Sequence, residues 1–459
     1  MSTQVDRHGG DGAAPEGAGG EAAREQRAFL VLFALAAAAE LVAFAILCLQ
    51  DRHGFLSLVT TPDTNSYLRI AQGLLRAGSI PLESVRSVGY PLFLSVCFLV
   101  GGQAYGYYVT IGVQLLLNLV FLRLFWAVLS RVAAGALLGI RVAMGGVFWL
   151  AGMGMSLWVM SDFQAALAFG LFVYVLLLRR SWAWVAAGSM ALALAVLTRP
   201  TFNAIGLLVP LLALLASRVT SRVPWSHVAA YMVAALLAAG FSHWQVARAA
   251  NLKGVESFRS YCLGCTIHFH LEQFDPDAKK SRAIFNTMIA QRAGRPYAEV
   301  TQADQDRIAK EMFVERFCQR PVQYLLSWAK SLLKYTMVPI ENTVQLTASA
   351  LGREDAYYKW IRPVMFALCL PLWVASLVPP RTRQKGWLAY YALMIVVVVY
   401  VLGLSSLFGH AGERMRFPVL LLMLPVAATN IHWAWQWVRA RLGRGAYRGE
   451  PTQGVGGEA

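Results

Sequence analysis

Charged residues are scarce in this chain. Of its 459 residues only 14% are Asp, Glu, Lys or Arg, whereas 57% are hydrophobic. An ordinary soluble protein carries roughly 25% charged residues. The hydrophobic residues come in repeated blocks of about 18–22, long enough to cross a ~30 Å hydrocarbon layer as a helix. The composition therefore excludes a soluble globular enzyme and a disordered or collagen-like chain, and it predicts a polytopic membrane protein.

Acidic residues are scarcer than basic residues. There are 25 Asp and Glu against 41 Lys and Arg, which gives a net charge of +16. The basic residues cluster at the ends of the apolar blocks, for example Arg179-Arg180 and the run 381–385, where they orient the chain and meet anionic lipid. We therefore expect membrane lipids as partners and no nucleic acid. By the positive-inside rule the side that carries these residues is cytoplasmic, and an even number of spans puts both termini on that side.

Cysteine is also sparse. Six cysteines in a chain of this length exclude a dense disulfide framework. Cys262, Cys265, His268 and His270 could supply two thiolates and two imidazoles to a tetrahedral zinc ion. Their spacing is tighter than in known zinc modules, so a Cys262–Cys265 disulfide, or no role at all, is favoured over a metal site.

Several catalytic motifs are missing altogether. The chain has no Walker A loop, no dinucleotide fingerprint, no His-Glu-x-x-His and no Gly-x-Ser-x-Gly. These absences argue against an ATP-driven pump and against an intramembrane metalloprotease. No internal repeat is evident either.

The apolar blocks define the predicted architecture, an all-α polytopic membrane protein with about ten transmembrane helices, or up to twelve with re-entrant segments. We expect a disordered cytoplasmic tail over 1–27 and a transmembrane module over 28–247, with a first periplasmic loop at 50–105. A modest α-rich periplasmic insertion with an interfacial helix follows at 248–360, then a second transmembrane module at 361–437 and a cytoplasmic tail at 438–459. The predicted spans are 28–49, 106–129, 133–159, 163–178, 182–198, 202–217, 226–247, 361–379, 386–407 and 417–437. The block 90–101 is too short to cross and is predicted to be re-entrant or interfacial.

The first loop contains an amphipathic pattern. Tyr67, Ile70, Ala71, Leu74 and Leu75 recur at helical spacing and form one apolar stripe. Gly78 is placed to end that helix. We predict a short helix that lies in the membrane interface.

Two carboxylates at the mouths of the predicted spans are candidates for chemistry. Asp63 directly precedes the amphipathic helix, so it can cap that helix or act as a general base at the membrane surface, and the two roles can coexist. Asp162 lies between two apolar blocks and either caps the helix that starts near 163 or takes part in the reaction.

Basic residues gather on the same predicted face. Each could anchor a lipid headgroup or snorkel to water, but arginine is also well shaped to hold a phosphate by paired hydrogen bonds. Arg414 and Arg416, close together on this face, break the positive-inside pattern, which favours a functional role for them. The candidates are Arg86, Arg199, His410, Arg414 and Arg416.

The order of these motifs resembles the GT-C glycosyltransferases, particularly the branch of protein O-mannosyltransferases and the bacterial aminoarabinose transferase of lipid A. The resemblance covers most of 28–437 and rests on Asp63 and the helix after it, Arg86-x-x-Gly89-Tyr90-Pro91, an acid after the third span, Thr198-Arg199-Pro200 and Glu413-Arg414-x-Arg416-x-Pro418.

The resemblance implies an inverting transferase that takes a sugar from a polyprenyl-phosphate donor to a lipid, glycan or protein acceptor. Asp63 would be the base and Asp162 an accessory acid. The basic residues named above would hold the donor phosphate, and Tyr67, Tyr90 and Glu413 would position the acceptor.

The chain departs from the family pattern at two places. Val88 stands where a proline is usual, and Asp63 is followed by Thr and Asn instead of a second acid. The second departure disfavours a two-carboxylate metal site, although a divalent metal is left open as a cofactor. Two other classes compete with the transferase: an O-antigen ligase or polymerase, and a non-enzymatic flippase or transporter of lipid-linked sugars.

Overall fold

The computed structural model describes residues 18–61, 63–78, 87–252, 282–323, 325–326, 355, 359–360, 362–380, 386–403 and 417–446. Within these ranges the regular structure is helical, with no strand. The helices are α1 (Ala18–Leu49), α2 (Arg52–Val59), α3 (Thr64–Ala77), α4 (Gly89–Val132), α5 (Leu138–Ser156), α6 (Ser161–Leu178), α7 (Trp182–Thr198), α8 (Ile205–Val219), α9 (Trp225–Leu252), α10 (Arg282–Ala293), α11 (Gln302–Gln319), α12 (Arg362–Leu377), α13 (Trp387–Val398) and α14 (Phe417–Ala446).

Six of these helices are long and apolar enough to cross a membrane: α1, α4, α5, α6, α9 and α14. Three shorter helical stretches, 182–198, 205–219 and 387–403, are also apolar. The chain is thus an α-helical protein of the multi-pass membrane type. The predicted count of about ten spans stays a prediction.

Helix α1 begins earlier than the sequence analysis placed it. It starts at Ala18, so residues 18–27, which were expected to belong to a disordered tail, are helical. Ala, Glu and Arg are strong helix formers and extend the apolar run outward by several turns. For the same reason α14 continues past 437 to Ala446.

Short connections make successive helices antiparallel, which brings alternate connections to the same end of the bundle. The first loop, the α5–α6 connection at 157–160 and the α7–α8 connection at 199–204 meet at one end, which we call the motif end. Aromatic side chains fill the core below it. Phe417 lies edge-on to Phe121 at 5.2 Å between ring centroids and stacks on Phe148 at 5.3 Å.

Helix α4 is broken at Gly102, which has φ 60° and ψ −170°. A backbone of this kind suits glycine, since it has no Cβ. The two halves fold back on each other. Phe98 of the first half packs edge-on against Tyr107 of the second, and the Tyr90 hydroxyl donates a hydrogen bond to Gln114. The break separates the short block 90–101 from the longer apolar block, as predicted.

Helices α2 and α3 form a small second core with both halves of α4 and the α5–α6 connection, and Phe55, Tyr67, Tyr90 and Val159 are among its buried members. Helix α3 ends as predicted at Gly78, whose φ is 61° and whose N–H donates to the Leu74 carbonyl at 3.0 Å. This second core fixes the first loop on the motif end.

Within the predicted insertion at 248–360, α10 and α11 form a hairpin around a four-residue core of Ile289, Val300, Ile308 and Met312. Thr301 accepts a hydrogen bond from the Asp304 N–H at 3.2 Å and donates one to its carboxylate at 2.9 Å. The Thr301 hydroxyl, together with the Arg307 guanidinium, lowers the pKa of Asp304 below its ordinary value. The predicted α-rich character therefore holds for the part of the insertion that the structure describes.

Candidate functional site

Arg199 is placed at the motif end by the proline that follows it. A residue before proline is disfavoured in the α conformation, so α7 ends at Thr198 and Arg199 adopts an extended backbone with φ −140° and ψ 124°. Residues Pro200–Phe202 then form one 3-10 turn. The Tyr400 hydroxyl donates to the Thr201 carbonyl at 2.7 Å and braces this turn.

Asp162 forms an ion pair with Arg199. The carboxylate lies in the first turn of α6, where the helix dipole favours negative charge. Its side chain is 2% exposed, whereas that of Arg199 is 18% exposed. The guanidinium therefore reaches the surface while its carboxylate partner does not.

Asp162 does not cap α6. The helix starts at Ser161, its N-cap residue is Met160, and no side chain makes a capping hydrogen bond there. The capping alternative for Asp162 is therefore wrong. Its carboxylate is used in the ion pair instead.

Asp63 occupies the N-cap position of α3 without acting as a cap. Its backbone is helical, with φ −73° and ψ −26°, and its side chain makes no capping hydrogen bond. A side-chain cap normally requires an extended backbone at this position. The capping alternative for Asp63 is thus not supported, and the residue is half-buried.

Helix α3 is anchored directly to the connection that precedes Asp162. The Thr64 hydroxyl donates to the Val159 carbonyl at 3.0 Å and accepts from the Thr61 N–H at 2.8 Å. One turn later, the Tyr67 hydroxyl and the Ser161 hydroxyl are hydrogen-bonded at 3.0 Å. Asp63, just before α3, and Asp162, in the first turn of α6, therefore lie at the starts of two helices that are hydrogen-bonded to each other there.

The Gly-Tyr-Pro segment packs on the residues before Arg199. A Cβ on Gly89 would lie 2.5 Å from Thr198 Oγ1 and 2.9 Å from the Leu197 carbonyl carbon. The Tyr90 ring lies edge-on to Tyr67 at 5.1 Å. Glycine is thus required at 89 because the start of α4 touches the end of α7.

Gly89→Ala is expected to lower the free energy of unfolding by about 1–3 kcal/mol, the usual cost of overpacking. The added methyl group would press on the backbone of Leu197, which cannot turn aside as a flexible side chain can. An SDS titration of the purified protein in mixed micelles measures the change. Gly146→Ala is the control, since its Cβ would meet no described atom within 4 Å. Equal stability of Gly89→Ala and wild type would contradict the close packing.

A buried glutamine that the sequence analysis missed connects these elements. Gln114 Oε1 accepts from the Tyr90 hydroxyl at 3.2 Å and from Gln164 Nε2 at 2.7 Å. Its Nε2 donates to the carbonyls of Ser156, at 2.5 Å, and Trp158. Its position within an apolar block could have indicated this role from the sequence, because a polar group buried there needs hydrogen-bond partners.

Tyr67 and Tyr90 were expected to position the acceptor. Tyr90 is fully buried and Tyr67 is 5% exposed. Their hydroxyls bind Gln114 and Ser161, so both residues hold the elements of the site together.

The other predicted site residues lie outside the described residues: Arg86, His410, Glu413, Arg414, Arg416, Cys262, Cys265, His268 and His270. Phe417, the residue after Arg416, is described. Its ring stacks at 6.1 Å on Phe163, the residue after Asp162. Among the described residues, no group of three or more His, Cys, Asp or Glu side chains could hold a metal ion.

The arrangement can hold an anion and accept a proton. A guanidinium fixed by a buried carboxylate is a preorganised anion partner, and it costs little reorganisation when negative charge develops nearby. Asp63, on the neighbouring helix, is a separate carboxylate at a less buried position. These are the two functions that group transfer from a phosphate leaving group requires.

Comparisons of the whole chain with protein-family models, with curated proteins and with solved structures find no match.

Proposed function

We propose that this chain is an integral membrane glycosyltransferase of the GT-C kind, which moves a sugar from a polyprenyl-phosphate donor to an acceptor hydroxyl with inversion. The observation that carries the proposal is the Asp162–Arg199 ion pair at the motif end, next to the helix that begins after Asp63. Four segments that the resemblance selected, around residues 63, 89, 162 and 199, contact one another in pairs.

Arg199 is the proposed partner of the donor phosphate. As the sugar leaves, the bond between its anomeric carbon and the phosphate oxygen breaks, and negative charge grows on polyprenyl phosphate. A fixed guanidinium in a poorly hydrated pocket stabilises that charge. Arg86, His410, Arg414 and Arg416 keep the same proposed role.

Asp63 is the proposed general base. It takes the proton of the acceptor hydroxyl while the hydroxyl oxygen forms the new bond to the anomeric carbon. Because this is a single displacement, the configuration at that carbon inverts. Its place supports this role, since Asp63 directly precedes the helix whose first residue, Thr64, is hydrogen-bonded to the segment before Asp162.

Asp162 has a positioning role in this scheme. Its carboxylate is buried against Arg199, so it is poorly placed to exchange a proton with an acceptor and well placed to orient the guanidinium. This revises its expected role as an accessory acid. Glu413 keeps its proposed role in acceptor positioning, and the insertion at 248–360 is proposed to select the lipid, glycan or protein acceptor.

The proposed setting is the bacterial inner membrane, with the motif end periplasmic and both termini cytoplasmic. The one-sided distribution of basic residues supports this orientation. The donor tail then lies among the helices while its sugar stays at the interface.

Binding of polyprenyl phosphate tests the phosphate-holding part of the proposal. Purified protein in nanodiscs should bind polyprenyl phosphate more tightly than polyprenol, which lacks the phosphate. Arg199→Gln should lose affinity about tenfold or more, because charge-assisted hydrogen bonds are lost. Arg76→Gln is the control, since Arg76 is an exposed arginine at the end of α3. Equal binding of the two lipids by wild type would contradict the proposal.

A further inference from the structure

A cavity with four charged residues in its lining lies at the end of the bundle opposite to the motif end. Its volume is about 600 Å³. Its lining comes from Gly20, Glu21, Arg24 and Glu25 of α1, residues 134–138 around the α4–α5 connection, and Arg141 of α5. This volume is within the usual range for small-molecule sites. From Glu25 to Leu49, where α1 reaches the motif end, the helix extends about 36 Å at 1.5 Å per residue.

The cavity has a built polar wall. The Arg141 side chain is 4% exposed and forms an ion pair with Glu25 at 2.9 Å. Its Nε is buried and has no hydrogen-bond partner among the described residues. The ion pair fixes this guanidinium in the cavity wall, and a charge-assisted hydrogen bond from it to a ligand acceptor is stronger than a neutral one.

The charges around the cavity balance. Two guanidinium groups, of Arg24 and Arg141, and two carboxylates, of Glu21 and Glu25, line it. A purely anionic ligand would meet as many negative groups as positive ones. A ligand that carries both a phosphate and a primary ammonium group would match both.

The cavity also lies at the depth of lipid headgroups. The apolar part of α1 starts at Ala28, only about 5 Å along the helix from Glu25. On the same helix Leu30, Val31 and Leu35 are 54%, 60% and 65% exposed, which leaves an apolar surface next to the cavity. Acyl chains can lie on that surface while the headgroup enters the cavity.

We propose that this cavity binds the headgroup of a zwitterionic phospholipid with a primary ammonium group, phosphatidylethanolamine being the representative. The phosphodiester accepts hydrogen bonds from Arg141 and Arg24, and the ammonium group donates to Glu21 and Glu25. The site is separate from the candidate transferase site and does not depend on the proposed function.

Lipid binding to the full chain in detergent, measured by native mass spectrometry, tests the assignment. Wild type should bind phosphatidylethanolamine about tenfold more tightly than phosphatidylglycerol, which lacks the ammonium group, and than phosphatidylcholine, whose quaternary ammonium cannot donate. Arg141→Gln should abolish this preference. Glu21→Gln, which leaves the buried ion pair intact, should reduce it if Arg141→Gln fails to fold.

Arg222→Gln is the matched control, because Arg222 is exposed on a different connection, between α8 and α9. It should keep the wild-type preference. Tighter binding of phosphatidylglycerol, or a preference unchanged in both cavity variants, would overturn the proposal. Full binding of soluble glycerophosphoethanolamine at equal concentration would also overturn it, since the lipid chains would then contribute nothing.

Discussion

Asp162→Asn should lower the free energy of unfolding by about 1–3 kcal/mol, because it removes the buried carboxylate of the ion pair while the guanidinium of Arg199 keeps its access to the surface. The double variant Asp162→Asn, Arg199→Gln should lose less than the single variant Asp162→Asn. Removing both charges avoids the cost of an unpaired charge next to the core. SDS titration of the three purified proteins measures both differences.

An exposed ion pair supplies the control for this prediction. Arg292 and Glu315 pair at 2.5 Å with side chains 44% and 49% exposed. Glu315→Gln should leave stability almost unchanged, since exposed pairs contribute little. If Asp162→Asn were as stable as Glu315→Gln, the pair at the motif end would not be the buried interaction described above.

Asp63→Asn should reduce sugar transfer by about 10²–10⁴-fold, the usual contribution of a general base. Its effect on the free energy of unfolding should stay within about 0.5 kcal/mol, because asparagine keeps the size and shape of aspartate at this half-buried position. The measurement is the rate of polyprenyl phosphate release by protein whose folded fraction is known. A fully active Asp63→Asn would return this residue to a structural role.

Asp51, on the same loop, caps a helix with its side chain, whereas Asp63 does not. Asp51 caps α2, and its carboxylate accepts from the Gly54 N–H at 2.5 Å. Asp51→Ala should cost about 1 kcal/mol of stability and leave the transfer rate unchanged. Together the two variants separate loss of chemistry from loss of a helix cap.

The sequence was informative wherever local rules decide the structure. Helix α7 has the predicted bounds 182–198, because an apolar run ends at a residue before proline. Gly78 ends α3 because glycine readily adopts a left-handed backbone. Both features depend on residues next to each other in the chain.

Contacts between residues far apart in the sequence could not be predicted from such local rules. Nothing near Asp162 indicates that its partner is Arg199, since their contact depends on how α6 and α7 pack. The hydrogen bonds of Gln114 are of the same kind, because they join α4 to α6 and to the α5–α6 connection. The helix start at Ala18 was missed for another reason. A prediction based on hydropathy ends the helix where the apolar run ends, so it assigns charged residues that continue the helix to a tail.

Catalytic turnover with labelled polyprenyl-phosphate sugars tests the central claim most directly. Wild type in nanodiscs, supplied with a panel of donors and with cell-extract acceptors, should release free polyprenyl phosphate and form a sugar–acceptor bond of inverted configuration. Release should disappear in folded Asp63→Asn protein and persist in Asp51→Ala. A wild-type protein that binds polyprenyl phosphate but turns over no donor would contradict the transferase account and favour transport of a lipid-linked sugar.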